Sequence, residues 1–580
     1  MTQENLEIAR HSLSHVMAAA ILELYPEAKF AIGPSIENGF YYDIDYGDVK
    51  ISDEQFKEIE KKMNYLIKQN LKFERFELPI DEAIEKEKQA SQIYKQELIE
   101  DLKINGEKTV SYYTLGKFTD LCRGPHLEHI GKIKAGSFKL TKLAGAYWRG
   151  DEKNKMLTRI YGVAFETKEE LAEYLKMIEE AEKRDHRKIG KELDLIMMHD
   201  LAPGMPFFLP KGMTVLKELI QFVRDESYGE GYREVRTPQI LNAELWKISG
   251  HWENYKDDMF CMHHAEDNID YGVKPMNCPA HMLIFKRDIH SYRDLPLRVA
   301  ETTTLYRNEK SGTLHGLTRV RSLSQDDTHI FCKQSQILDE IKLLLQKIKR
   351  IYSIFGLEID QIHLSTRPDN FLGEKATWDE AENNLKQALE GAGLEYIINE
   401  GDGAFYGPKI DVKVKDAIGR QWQLATIQLD YQMPLRFDLH YIDSDGSEKT
   451  PVVIHRAILG SMERFLGILI EHYIGAFPVW LSPVQVKIIS VGSAHIDYCK
   501  KLADDFNCNG VRVEVDDNNE TVSNKTRKAI AEKIPYILVI GDKEAGSENL
   551  AVRDRGSRET REVAISDFIE EIINKVKNRS

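Results

Sequence analysis

His11 and His15 stand four residues apart in RHSLSHVMAAA, so on a helix both imidazoles share one face. Cys122 and His126 repeat that offset in DLCRGPH, with Asp120 just ahead. An H-x-x-x-H pair joined to a C-x-x-x-H pair supplies ligand types that zinc takes. Without metal, the same groups could place and activate a water, or form a buried polar cluster that only pins the fold. Three further stretches carry chemistry-bearing residues: KPMNCPAH (274–281), YRNEKSGTLHGLTRVRSLSQDDTHIF (306–331) and IHRAILGSMERF (454–465). Taken singly, Cys278 reads equally as a buried thiol, His329 as a strand histidine and His455 as a helix cap.

The elements that must position these groups are legible from periodicity. Residues 6–23 read as an amphipathic helix, and mixed strands and helices follow to about 163. Residues 167–188 (TKEELAEYLKMIEEAEKRDHRK) read as one long charged helix, a natural connector. Residues 297–308 and 318–331 read as two strands of an antiparallel hairpin joined by KSGTLHG. The last hundred residues alternate strand and helix (VQVKIISVG, VRVEVD, SNKTRKAIAEK, YILVIGD, LAVRDR, then a final helix), an α/β domain that begins near Leu481. The expected division is 1–165, a helical linker 166–188, a central domain 189–480 and a C-terminal domain 481–580.

A chain of 580 residues is too long for one core. It has no apolar run near the roughly 18 residues of a membrane span, which argues against a membrane partner, and its N-terminus lacks a signal pattern. Its six cysteines form no C-x-x-C pair. A reducing cytoplasm is the expected setting, where thiols stay free as ligands or catalysts. The net charge of −15 argues against a protein that coats nucleic acid, not against one that docks a folded RNA through local patches.

Together the three central stretches resemble motifs 2 and 3 of the class II aminoacyl-tRNA synthetases in their threonyl version, and the resemblance runs from about residue 8 to 575. HIGH, KMSKS, a P-loop and GxGxxG are absent. The resemblance implies an α+β multidomain protein: a class II antiparallel-sheet catalytic core, an N-terminal α+β editing domain and a C-terminal α/β anticodon-binding domain. It implies ATP-dependent attachment of threonine to tRNA(Thr) through a threonyl-adenylate, with hydrolysis of mischarged seryl-tRNA(Thr). REVRTPQIL, with Pro238, resembles motif 1, the region that builds the class II dimer, so a homodimer is expected. Relatives normally begin with a ubiquitin-like module; this sequence reaches the editing helix within ten residues of Met1, through loss of that module or a truncated start.

The resemblance also assigns residues. Arg307 would grip the α-phosphate of ATP, Glu309 read the adenine edge, and Arg319 and Arg464 hold the β,γ-phosphates with Mg²⁺. Fixed cations are the main means of stabilising charge that builds on phosphate oxygens. Cys278, His329 and His455 would bind one Zn²⁺ per chain with a position left open, to which threonine binds through amine and hydroxyl. Their wide separation excludes a zinc finger. Such a metal rejects valine, which an apolar pocket separates only weakly from threonine. Gln325, Asp327, Tyr406, Lys409, Gln423, Gln428 and Ser461 complete the pocket, with Asp327 accepting from the hydroxyl. His251 resembles a histidine that helps deprotonate the tRNA ribose; a surface histidine beside Trp252 is the alternative. Ala280 and Ala425 stand where the family usually has glycine.

Serine keeps the amine and hydroxyl, and a missing methyl is worth only about 1–3 kcal/mol. A second site must therefore remove the error. The family reads His11, His15, Cys122 and His126 as that hydrolytic site, generally without metal: His11 places or activates water, and Lys95 and Asp120 are further members. Asn519, Arg527, Glu544 and Arg553 fall where the family reads the anticodon. Two other readings remain: a synthetase-like RNA-binding regulator, which should have lost Arg307, Arg464 or a zinc ligand, and a zinc hydrolase built on His11 and His15, which leaves the central segment without a role.

Overall fold

The computed structural model of the chain describes residues 3–266 and 268–580. They form two compact units, Met1–Glu180 and Ala181–Ser580.

In the first unit, helix Gln3–Leu24 is buried from Ala9 to Ile21 on nearly every side. This departs from the amphipathic helix expected over 6–23. Small residues (Ala18, Ala19, Ala20) let other layers close in around it. One layer is a five-stranded antiparallel sheet that includes Gly39–Asp45, Met156–Ala164 and Phe138–Tyr147. A second sheet, Phe73–Pro79, Thr109–Leu115 and Phe118–Leu121, brings Asp120 and the loop behind it to the helix. A helix sheathed all round has no polar face, so Ser12 and Ser14 bond internally, to the Ile8, His11 and Gly33 carbonyls, while the buried His15 Nδ1 has no hydrogen-bond partner.

The stretch expected as one connector helix is two. Lys168–Arg184 ends where the Asp185 carboxylate accepts from the Arg187 backbone N–H at 2.8 Å and caps a new helix, His186–Glu192.

The second unit is built on an eight-stranded sheet in the order Arg233–Glu234, Leu297–Glu301, Asp327–Cys332, Val452–Ala457, Gln421–Asp430, Lys409–Lys415, Glu358–Ser365, Ile397–Asn399. All its pairings are antiparallel except the two at the edges. Ile330, Ile454 and Leu429 lie side by side in register and share one core with residues of helices Pro210–Tyr228, Ile337–Ile354, Lys375–Gly391 and Met462–Tyr473. Side chains alternate along a strand. The neighbouring row, His329, His455, Gln428 and Lys409, is also in register and faces the other way. The expected hairpin forms as two ladders, Leu297–Glu301 on Asp327–Cys332 and Thr304–Tyr306 on Ser322–Ser324.

The last hundred residues make a five-stranded sheet: three parallel strands (Val513–Asp516, Val486–Ser490, Tyr536–Ile540), then Asn549–Asp554 and Arg561–Ala564 antiparallel. The last strand, REVA, is too short to read from sequence. Arg512 bridges to Glu218 at 2.7 Å and Lys211 to Glu532 at 2.9 Å, tying this sheet to helix Pro210–Tyr228. Among the described residues no helix is long and apolar enough to cross a membrane.

Candidate active site

The row of polar side chains floors a cavity of about 400 Å³. Cys278 joins His329 and His455 there from the first turn of helix Cys278–Lys286; their ligand atoms lie within 4.8 Å of one another and all three residues are buried. Burial, reinforced by His455 and His281, holds His329 well below the ordinary imidazole range, so the ring is neutral, as a ligand must be. The Cys278 thiol is pushed well above its ordinary value by burial and then by Asp327 and Asp430; a bound dication reverses that balance. His329 Nε2 is buried with no hydrogen-bond partner, an unsatisfied acceptor beside a thiol and a second imidazole. The donor set fits zinc with an open position.

The pocket residues surround this set. Tyr406 donates its hydroxyl to Gln428 Oε1 at 2.8 Å, and Asn277 donates to Asp327 Oδ2 at 3.0 Å. Lys409 pairs with Asp411 at 2.9 Å, and Gln423 donates to the same carboxylate at 2.6 Å. Gln325 bridges to Ser461, whose hydroxyl caps helix Met462–Tyr473 by accepting from Arg464 N at 3.0 Å. Ala280 continues its helix and Ala425 its strand, both buried, so neither position needs glycine.

Four arginines line the same cavity: Arg456, which pairs with Asp326 at 3.2 Å, and Arg307, Arg319 and Arg464. Arg307 leans on the Pro275 carbonyl, Arg464 on those of Thr318 and Gln423, and Arg319 pairs with Glu309 at 3.0 Å. Burial, then the neighbouring Arg307 and Arg319, lowers the Arg464 pKa, with Glu309 opposing them. Such a cluster binds polyanions.

His251 does not line the cavity. It is fully buried, bonded to Ser249 Oγ and touching Met276 Sδ, and burial pushes it down to about 3. The surface placement weighed from sequence is excluded; Met276, its neighbour, is what lines the cavity.

The N-terminal set also assembles: His11, His15, Cys122 and His126 place ligand atoms within 4.8 Å. His11 Nδ1 lies 3.2 Å from the Pro125 carbonyl, so that nitrogen carries the proton and Nε2 is bare. Ser12 gives its proton to the Ile8 carbonyl, so it accepts from His126 Nδ1 at 3.3 Å, and His126 Nε2 is bare too. The Cys122 sulfur sits 3.4 and 3.3 Å from those two bare nitrogens. Its proton can satisfy one, leaving the other as a base. Burial lowers all three histidines and lifts the thiol to about 11, so the cluster is uncharged. Beneath it, Lys95 pairs with Asp120 at 2.5 Å, and Tyr42, which sequence reasoning passed over, donates to the same carboxylate. In a third group, Asp185, His186 and Glu471, both imidazole nitrogens are engaged, to Glu471 at 2.7 Å and Leu317 N at 2.9 Å, so the ring has no free lone pair for a metal.

Comparison with known proteins agrees along the chain. Residues 260–473 match the tRNA synthetase class II core domain (G, H, P, S and T), 485–575 the anticodon binding domain, and 110–161 the threonyl and alanyl tRNA synthetase second additional domain. The threonine–tRNA ligase of Clostridium tetani is 52% identical over 577 residues, covering 100% of this chain and 89% of that protein. That of Clostridium acetobutylicum is 52% identical over 570 residues, 98% of this chain and 88% of its own. A crystal structure of the RNA binding domain of threonyl-tRNA synthetase from Cryptosporidium parvum superimposes with a TM-score of 0.65 at 40% identity, over 67% of this chain and 98% of that one. This chain belongs to the threonyl-tRNA synthetase family.

Of the residues that the family resemblance assigns to the anticodon, Asn519 and Glu544 follow the C-terminal ends of parallel strands Val513–Asp516 and Tyr536–Ile540. Arg527 is exposed on helix Val522–Ala531. Arg553 pairs with Ile537, toward the opposite end of that strand, and donates to the Ser557 carbonyl at 2.9 Å. Residues that sequence reasoning missed are the supports: His281, Glu301 and Asp430 behind the histidines, and Asn277 behind Asp327. His281 stands in KPMNCPAH, three residues after Cys278, and that spacing was the available signal.

Proposed function

We propose that the central cavity of this threonyl-tRNA synthetase activates threonine with ATP around a zinc held by Cys278, His329 and His455, and that the N-terminal cluster hydrolyses seryl-tRNA without a metal. The carrying observation is the convergence, in one cavity, of a three-ligand set with Arg307, Arg319 and Arg464. When bound, zinc supplies a Lewis-acid seat for an amine and a neighbouring hydroxyl. Asp327, held by Asn277, accepts from that hydroxyl; Tyr406 and Gln428, bonded to each other, close the pocket wall.

The threonine carboxylate oxygen attacks the α-phosphorus of ATP, a P–O bond forms, the bond to the bridging oxygen breaks, and pyrophosphate leaves. Arg307 stabilises charge on the α-phosphate. Arg319 and Arg464, with Mg²⁺, hold the β- and γ-phosphates. Glu309, released from Arg319, reads the adenine. A tRNA ribose hydroxyl then attacks the carbonyl and AMP departs. At the second site, the bare imidazole nitrogen facing Cys122 takes a proton from the water that attacks the seryl ester. Asn519, Arg527, Glu544 and Arg553 contact the anticodon, and the Pro238 segment pairs two copies as a homodimer.

Threonine-dependent ATP–pyrophosphate exchange tests this reading. The unaltered protein should carry about one zinc per chain, and Cys278→Ala should lose metal and exchange together. Full exchange by metal-free Cys278→Ala would overturn it.

A further inference from the structure

Glu301 is a fully buried carboxylate that touches neither cavity nor ligand atom. Five donors surround it. Thr237 N, Lys274 Nζ and Thr303 Oγ1 reach Oε1 at 2.8, 2.9 and 2.9 Å; Thr237 Oγ1 and His281 Nε2 reach Oε2 at 2.9 and 3.0 Å. A carboxylate so surrounded is ionised and only accepts. His281 must therefore carry its proton on Nε2, which leaves its Nδ1 bare. That bare nitrogen lies 2.8 Å from His329 Nδ1. Two nitrogens at that distance share one proton, and His281 has none to give there. His329 thus donates from Nδ1, and its unpartnered Nε2 is the lone pair. Asp327 Oδ1, 3.9 Å from His329 Nδ1, is too far to compete.

The second imidazole is fixed the opposite way. Asp430 accepts backbone N–H bonds from Gln432 at 2.7 Å and Met433 at 3.0 Å, and lies 2.9 Å from His455 Nε2. His455 donates from Nε2 and keeps Nδ1 bare.

We propose that Glu301, acting through His281, and Asp430 are positioning residues that lock the two imidazole ligands in opposite tautomers, so that His329 presents Nε2 and His455 Nδ1 to the metal. This rests on the zinc reading of the central cavity. Glu301 does a second job: Lys274 and His281, both bonded to it, flank Cys278 in the same segment. One carboxylate thereby holds the segment that carries the thiol and the tautomer of the neighbouring imidazole.

Zinc affinity, measured by competition with a chelator of known strength, tests the relay. His281→Phe keeps the ring's shape and removes both hydrogen bonds; affinity should fall by about 10–100-fold, the usual effect of losing a ligand's outer partner. His281→Gln, with an amide N–H for Glu301 and a carbonyl for His329, should restore most of it. A merely structural role would let Phe suffice. Unchanged affinity in His281→Phe, or a loss in His281→Gln as large as in His281→Phe, overturns the proposal. The tautomers are also read directly, in the metal-free unaltered chain, by ¹⁵N spectra of labelled histidine: protonated Nδ1 on His329 and protonated Nε2 on His281 and His455 are expected. A protonated Nε2 on His329 overturns the proposal whether or not the variants fold. An unaltered chain that takes up no zinc overturns the central reading instead, and the tautomer spectra still decide this one.

Discussion

Arg307, Arg319 and Arg464 bring positive charge to one cavity, and only Arg319 is paired there with a carboxylate, Glu309. Charge that acts mainly as the transition state forms should appear in rate more than in binding. Arg307→Ala should lower threonine-dependent exchange by roughly 10²–10³-fold. A loss of only twofold in single-turnover exchange would take Arg307 off the phosphate. The N-terminal histidines carry a different signature. His11, His15 and His126 are each held below the ordinary imidazole value by burial. Below about pH 6.5 the unfolded chain binds protons that the folded chain refuses, so stability rises with pH there and is lost as pH falls, by up to about 1.4 kcal/mol per pH unit for each histidine. Hydrogen exchange in helix Gln3–Leu24, corrected for intrinsic rates, should show less protection at pH 5.5 than at 7.5; equal protection would mean the rings accept protons in place. At this scale the sequence made ligand types and arginines legible, because identity and motif spacing carry them. Glu301 and Asp430 were not legible, since a supporting carboxylate is marked only by what it touches in space.

Strand register sets the site. Side chains have a period of two, so a one-residue slip in Val452–Ala457 would turn His455 into the helix-covered core and Ile454 into the cavity. The turn at Ala404–Gly407 is set as tightly. A Cβ at Gly407 would stand 2.2 Å from the Leu429 carbonyl, so the turn can lie on strand Gln421–Asp430 only without one. Gly407→Ala should push Tyr406 off Gln428 and raise the threonine KM by up to about 10²-fold, with a smaller effect on the ATP KM. Equal changes in both would mean the whole sheet had shifted. The alternating strands of the C-terminal sheet were readable because their apolar runs are bounded by turns. The first helix was misjudged because a mixed sequence gives no sign that neighbouring layers will cover its polar side. The break at Asp185 was missed because an N-cap inside a charged run looks like one more charge.

The two His/Cys sets fall in separate compact units. His11→Ala with His15→Ala should leave threonine-dependent exchange intact and let seryl-tRNA accumulate when serine is present, because a missing methyl limits the central site's preference to roughly 10–200-fold. Intact deacylation in the double variant would remove the cluster from the mechanism. Stripping zinc should abolish threonine activation while deacylation of added seryl-tRNA persists; deacylation that only zinc restores would make the second site metal-dependent. The central ligands come from residues 278, 329 and 455, and the strand Val452–Ala457 lies in the middle of the sheet. A nascent chain on the ribosome cannot complete that Cys/His set until this strand has emerged, so a metal bound there would add its free energy only to a finished sheet. The first unit is complete once residue 180 has been made, and domains generally fold as they emerge, N-terminal first. In each new molecule, the part that erases mistakes stands ready before the part that can make them.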